Sequence, residues 1–258
     1  MFSVLHAAQS GMTASNLWLN AISSNMANSQ TPGYGERLVE FSASADVASR
    51  PAGRTVGAQT VQPALGYTPG AFMTQDAPSF GSQIISASSA HDVAVNGPGF
   101  LVVKTSSGKL AYTRDGSLQT DAKGQIGLPG GTLLEPPVTV PPGESWQVAP
   151  DGEVMAGPAG QAMKPIGQVA VALIPNPEGM VSVGGNLYQL SPASGPAVAA
   201  APGTGGRGLL QTGALNGSGV SLASQMVEMI QAQTAYSVSA KVIAVQETLS
   251  KGLTQIVT

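Results

Sequence analysis

The sequence predicts an α+β chain: a helix at each end, the two forming a coiled-coil layer, with an all-β domain inserted between them. Three observations predict this. Residues 222–256 contain no proline and a single glycine, Gly252, and place apolar residues at helical spacing. Residues 1–35 contain no Asp, Glu, Lys or Arg. From Asp92 to Tyr188, short apolar runs are separated by tight-turn dipeptides. The expected boundaries are a helix over 1–35, an extended segment over 36–90, a β-domain over 91–190, a return linker over 191–219 and a helix over 220–258.

In the first helix, Leu5, Ala8, Met12, Ser15, Leu19, Ile22 and Met26 follow a strict 3-4 spacing, widened by Val4, Gly11 and Trp18. Its polar face is Ser, Thr, Asn and Gln, which can be enclosed without burying an ion. The final helix carries two apolar seams. Leu222, Met226, Met229, Tyr236, Ala240 and Ile243 form one; Ala235, Val238, Val242, Val245, Leu249 and Ile256 form the other. At about 1.5 Å per residue this helix spans roughly 50 Å. Over that length its charges are Glu228, Lys241, Glu247 and Lys251. A long core helix of an ordinary domain and a self-assembling helix both satisfy this pattern. The residues expected at an assembly interface are Leu5, Met12, Leu19, Ile22 and Met26 on the first helix. On the last they are Met226, Ile230, Val242, Val245 and Leu249.

At 258 residues the chain can form one large domain or two modest ones. Charged residues are 10% of the total, against about 25% in typical soluble domains, so polar contacts between ions cannot dominate its surfaces. A net charge of −3 with no basic cluster argues against a nucleic-acid partner. The absence of cysteine excludes disulfides, thiolate metal sites and cysteine nucleophiles. The N-terminus lacks the basic stretch of a cleavable secretory signal. No apolar run approaches the ~20 residues that span a bilayer, so membrane insertion is not expected.

The first helix is expected to end near Asn28, because Ser29-Gln30-Thr31-Pro32-Gly33-Tyr34 is a turn sequence and Pro32 cannot continue a helix. Ser24-Asn25-Met26-Ala27-Asn28 followed by Thr31-Pro32-Gly33-Tyr34 resembles the N-terminal signature of the flagellar rod and hook axial protein family. Residues 36–90 are rich in Ser, Ala, Thr, Gln, Gly and Pro, with Leu38-Val39-Glu40-Phe41 and Ile84-Ile85 as short strands. The spacing from Gly33-Tyr34 to Gly99-Phe100 resembles the longer, distal-rod form of the family.

In the β-domain, Phe100–Val103 and Leu110–Thr113 are joined through Ser106-Ser107-Gly108-Lys109, a hairpin signal. Val138–Val140, Trp146–Val148 and Val169–Ile174 supply further strands. Asn96-Gly97, Asp115-Gly116 and Asp151-Gly152 are turns. Asp92–Val95 with Gly97-Pro98-Gly99-Phe100 resembles the start of the family's β-domain. Tyr112-Thr113-Arg114-Asp115-Gly116-Ser117 with Asp121 and Gly124 is similar to its internal motif, and Asn186-Leu187-Tyr188 to another. Met226–Gln233 with Ala235-Tyr236 resembles its C-terminal signature. Thr234 and Ser237 stand where relatives carry Arg and Glu, and Asn216-Gly217-Ser218-Gly219 replaces Glu-x-Ser-Asn.

Catalytic signatures are missing: no H-E-x-x-H, phosphate-binding lysine loop or G-x-S-x-G is present. His6 and His91 lie in different segments, and Asp115, Asp121 and Asp151 sit in turns. Gly203–Gly208 spells G-x-G-x-x-G, but an Ala/Pro tract precedes it and no helical pattern follows directly, so a dinucleotide site is not expected. The chain is not expected to be an enzyme or to hold a cofactor or metal.

The resemblance implies a structural subunit that polymerises helically into the distal rod of the flagellar basal body and transmits torque from motor to hook. It implies self-association and contact with other rod and hook subunits, surrounding ring proteins and the flagellar type III export apparatus. The implied location spans the periplasm, reached without a cleavable signal. A proximal rod or hook subunit is the alternative within the family. Outside it stands a self-contained secreted β-domain that binds carbohydrate or a surface.

Overall fold

The computed structural model describes residues 2–43, 71–81, 83–158 and 160–257. Residues 44–70 of the expected extended segment, and the side chain of Ile256, lie outside the described residues. The chain divides into two units. A helical unit comprises Met1–Ser24, Leu38–Asp76 and Leu222–Thr258; a β unit comprises Asn25–Arg37 and Ala77–Ser221.

Helix α1 spans Phe2–Ala27 and ends where the turn around Pro32 was expected to stop it. The two-stranded sheet of β1 (Glu36–Ala43) and β2 (Ala71–Ser79) follows, and α2 spans Leu222–Val257. Within the helical unit α1 and α2 approach closely at Gly11, where a Cβ would stand 2.9 Å from Ser239 Oγ. Trp18 meets Phe41 edge-on at 5.8 Å. The buried positions are mostly small: Ala8, Ala14, Ser15 and Ala21 with Ile22 on α1, and Ala232 with Gln225 on α2. The hydroxyls turn back onto their own helices. Thr13 Oγ1 donates to Gln9 O, Ser15 Oγ to Gly11 O, Thr234 Oγ1 to Ile230 O and Thr248 Oγ1 to Ala244 O.

The β unit holds the remaining strands: β3 (Ile84–Ser86), β4 (Val93–Asn96), β5 (Phe100–Lys104), β6 (Leu110–Thr113), β7 (Gln119–Thr120), β8 (Ile126–Leu128) and β9 (Thr132–Leu134). Next come β10 (Ser145–Val148), β11 (Glu153–Gly157), β12 (Lys164–Gln168), β13 (Val171–Leu173), β14 (Val181–Gly184) and β15 (Leu187–Gln189). The last three are β16 (Val198–Ala200), β17 (Leu209–Thr212) and β18 (Ala214–Asn216). One sheet runs β14-β15-β6-β5-β9-β8-β7, with β13 joined to β5 and β16 to β13. A second is β10-β11-β12, and β17 pairs β4 while β18 pairs β3.

Strand β5 is buried on both faces, which its unbroken apolar run Phe100–Val103 dictates. Leu101 and Val103 enter a core with Val93, Ile126, Val154 and Leu210. Phe100 and Val102 enter a second with Tyr112, Ile174 and Tyr188. The expected β5–β6 hairpin forms, with Leu101 opposite Thr113 and Val103 opposite Ala111. Gly108 closes its turn by donating to Thr105 O.

Several expectations differ. Val138–Val140 is not a strand; only Thr139 bridges, to Gln125, because Pro136, Pro137, Pro141 and Pro142 remove the donors a ladder needs. Val138 and Val140 are nonetheless buried. The stretch 191–219, expected as a linker, contributes β16, β17 and β18, and β17 buries Leu210 against β4. Val169–Ile174 forms a strand only over β13, and β12 ahead of it carries no apolar alternation that would mark it.

Candidate functional site

Two places in the molecule carry the residues that the sequence singled out, one in each unit. In the helical unit the expected interface residues divide by exposure. On α1, Leu5 is exposed, Met12 and Leu19 are half-buried and Ile22 is buried; Met26, on the end of α1 that belongs to the β unit, is half-buried. On α2, Met226, Ile230, Val242, Val245 and Leu249 are all exposed, at 58%, 63%, 37%, 59% and 56%. The buried or half-buried line of α2 runs Gln225, Met229, Ala232, Tyr236, Ser239, Ile243 and Gln246. It keeps Met229, Tyr236 and Ile243 of the first seam and leaves Leu222 and Met226 exposed, while Val238, Val242, Val245 and Leu249 of the second seam face solvent. Val4, Val238, Val242 and Val245 line a groove of about 310 Å³ with the stems of Lys241 and Gln246. No helix among the described residues is long and apolar enough to cross a membrane.

In the β unit the family-like motifs converge on one another. Gly33, with φ +67°, packs so tightly against the Arg114–Asp115 peptide that a Cβ would lie 2.3 Å from Asp115 N. Only glycine combines that dihedral with that approach. Gly116 is equally constrained, because a Cβ there would strike Val93 O. Asn186 Nδ2 donates to Pro32 O, Thr113 Oγ1 to Asn186 O, and Gly35 N to Tyr188 OH. Asp115 Oδ1 accepts from Ser117 N and, at short range, from Ser117 Oγ, closing the Asp-Gly turn. Thr31 Oγ1 donates to Asn28 Oδ1.

Three polar side chains tie this junction together. Asn25 Oδ1 accepts from Arg37 N (2.8 Å) and Tyr34 OH (3.2 Å), and its Nδ2 donates to Arg37 O (3.0 Å). Asn216 Oδ1 accepts from Val95 N and its Nδ2 donates to Val95 O, at 2.8 and 3.0 Å. The Arg114 guanidinium donates to Gly99 O, Gly81 O and Gly97 O at 3.2, 3.1 and 3.0 Å and lies 5.2 Å from the Phe100 ring centroid. Burial lowers the Arg114 pKa from its ordinary value. Burial also raises the Tyr188 phenol, with Tyr34 adding to the rise and the Gly35 N–H opposing it. Tyr112 is raised by burial. Phe80 sits edge-on to Phe100 and Tyr188, at 4.8 and 4.9 Å.

The sequence singled out Asn25, Tyr34 and Arg114 only through the family motifs, and it noted Asn216 merely as a departure. Phe80 and Asn186's link to Pro32 gave no local signal, because their partners lie far away in sequence.

Elsewhere, His91 stacks on Trp146 at 4.3 Å beside a cavity of about 500 Å³ whose rim carries Asp121, Lys123 and Glu144. Asp121 Oδ1 is taken by the backbone N–H groups of Lys123 and Gln125, a turn role. Among the described residues, no three His, Cys, Asp or Glu side chains are grouped to hold a metal. The G-x-G-x-x-G stretch is a turn: Gly203 N donates to Gly208 O, Arg207 is held by Val171 O and Val198 O, and β17 follows rather than a helix.

Comparison with known proteins matches the same three regions. Residues 5–34 match the family described as flagella basal body rod protein. Residues 94–156 match the flagellar hook protein FlgE/F/G D1 domain, and residues 211–256 the flagellar basal body rod FlgEFG protein C-terminal family. The chain is 34% identical to the flagellar basal-body rod protein FlgG of Buchnera aphidicola subsp. Schizaphis graminum, over 99% of this chain and 100% of the relative. It is 32% identical to the protein of the same name from Buchnera aphidicola subsp. Acyrthosiphon pisum, again over 99% and 100%. To that of Caulobacter vibrioides it is 31% identical, over 98% of each chain. With the motif residues gathered into one junction and relatives aligned along nearly their whole lengths, this chain belongs to the flagellar basal-body rod protein family.

Proposed function

We propose that this chain is a structural subunit of the bacterial flagellar basal body, polymerising helically into the distal rod that carries torque from motor to hook. One observation supports this reading most directly: the line Met226, Ile230, Val238, Val242, Val245 and Leu249 stands exposed along α2. A two-helix unit that buries mostly alanine and serine, with Ile22 and Gln225, and presents valine, leucine and isoleucine along α2 is unfinished as a monomer. Burying the remaining half of each such side chain contributes roughly 1 kcal/mol. Repeated along both helices and over several neighbours, that exceeds the ~4–15 kcal/mol that association costs. In this reading the contacts run head-to-tail without closing, which is the arrangement that generates a filament. Close-packed, nearly uncharged helices give little under torsion.

The partners in this reading are other copies of the chain, the adjoining rod and hook subunits and the rings around the rod. The chain reaches its place across the periplasm through the flagellar type III export apparatus, and its role is structural rather than catalytic. The test is assembly of the full-length chain, read by sedimentation and electron microscopy. The unaltered protein is expected to form filaments, and Ile230→Asp with Val245→Asp to remain soluble and folded. Filaments that form equally well with both aspartates would sink the reading.

A further inference from the structure

The chain crosses the boundary of the β unit at four places: before Asn25, within α1; after Arg37, along β1; before Ala77, along β2; and after Ser221, into α2. Inside the β unit these four stretches are fastened to each other. Asn25 holds Arg37 through both backbone groups and holds the Tyr34 hydroxyl. Tyr34 O in turn accepts from Gly219 N, on the stretch that leads to α2. That stretch lies against the one leaving β2, since a Cβ on Gly81 would stand 2.7 Å from Gly219 Cα, and Gly217 N donates to Gln83 O. Two anchors fix this ring to the sheets. Arg114 grips Gly81 O together with Gly97 O and Gly99 O, and Asn216 grips both backbone groups of Val95 while its own carbonyl accepts from Gly33 N.

From this geometry we infer that Asn25, Arg114 and Asn216 are positioning residues of one clasp, which makes the four outgoing stretches move as a single body. The clasp rests on the rod reading for its use: a load entering the β unit is shared by four stretches of chain instead of being carried by one. The choice of side chains follows from that task. Amides and a guanidinium satisfy buried backbone groups in several directions at once, and all three residues are buried. An arginine bound wholly to carbonyls needs no carboxylate, so ionic strength does not loosen it as it would an exposed ion pair.

The test uses the full-length soluble chain and amide hydrogen exchange. Asn25→Ala is expected to speed exchange at Arg37 at least tenfold. Through Tyr34 it is also expected to speed exchange at Gly219 and Gly217, nearly two hundred residues away in sequence, while Val103 and Ala111 in the β5–β6 hairpin stay unchanged. Asn25→Asp, which keeps the acceptor for Arg37 N and Tyr34 OH, is expected to restore protection at Gly219. Acceleration confined to Arg37 would make Asn25 a local cap and overturn the clasp. So would equal acceleration throughout the hairpin, or none anywhere. Filament assembly is scored separately: failure of the unaltered chain to polymerise would overturn the rod reading and leave the exchange result standing.

Discussion

The valines at the centre of the β unit and those along α2 stand in opposite surroundings. In the β unit Val93, Val103, Val154 and Val171 are wholly enclosed, whereas in α2 Val227, Val238 and Val245 are 55–59% exposed. The residue is the same; the neighbourhood differs. The β unit surrounds those four valines with strands on both sides of β5, and leaves Val181, Val183 and Val198 exposed at the ends of the sheet. The helical unit buries mostly small residues, with Ile22 and Gln225 among them, and leaves a line of large apolar ones along α2 turned outward. Composition counts both sets as hydrophobic, and only the second is available to another molecule.

That contrast can be broken or sharpened by experiment. The largest effect is expected from Leu101→Ala, which removes a side chain at 0% exposure from the main core of the β unit. It is expected to cost about 2–5 kcal/mol of unfolding free energy in denaturant. A cost below about 1 kcal/mol would mean that the β unit is not the self-sufficient part. A smaller effect is expected on raising pH. Burial holds the Tyr188 and Tyr112 phenols above the ordinary value of 10.0, so the fold favours the neutral form. That contribution is fully present below pH 10 and is lost as pH rises through the higher folded values. The midpoint of urea unfolding is therefore expected to fall above about pH 10, and Tyr188→Phe to flatten the fall. The smallest effect on folding belongs to Val238→Ser with Val245→Ser, within about 0.5 kcal/mol per site for the monomer. The same pair is expected to raise the concentration needed for polymerisation at least tenfold. Loss of monomer stability in its place would show that those valines already pack within the chain.

Much of the architecture was legible in the sequence, because helices and hairpins are specified by local periodicity and turn chemistry. Helix α1 ends at Ala27, beside the Asn28 expected from the turn sequence, α2 spans Leu222–Val257, and β5 and β6 pair through the turn at Ser107-Gly108. The facing of the helices was not legible. A 3-4 spacing finds stripes, but it does not say that Ala8, Gly11 and Ala232 would outcompete Leu5 and Ile230 for the inside. That outcome depends on how closely two backbones approach, as Gly11 and Ser239 do. The junction was half legible. Gly33, Arg114 and Asp115 stood out by family resemblance, while the reasons for them lie in contacts between distant segments. Asn216 bonds Val95 across 121 residues, and no window along the chain contains both. Strands β16 and β18 escaped notice for a related reason: their ladders are formed with β13 and β3, and their own sequences are too short and too rich in alanine to alternate.

The hydroxyls of Thr13, Ser15, Thr234, Ser239 and Thr248 bond to carbonyls one turn back on the same helix. A surface built this way has spent those hydroxyls before any neighbour arrives. What it can present is relief: bumps of valine and leucine, dips of alanine and glycine. Discrimination between one neighbour and another then becomes a matter of volume, so exchanging a methyl for a larger group on these helices would redirect pairing where exchanging a hydroxyl would pass unnoticed.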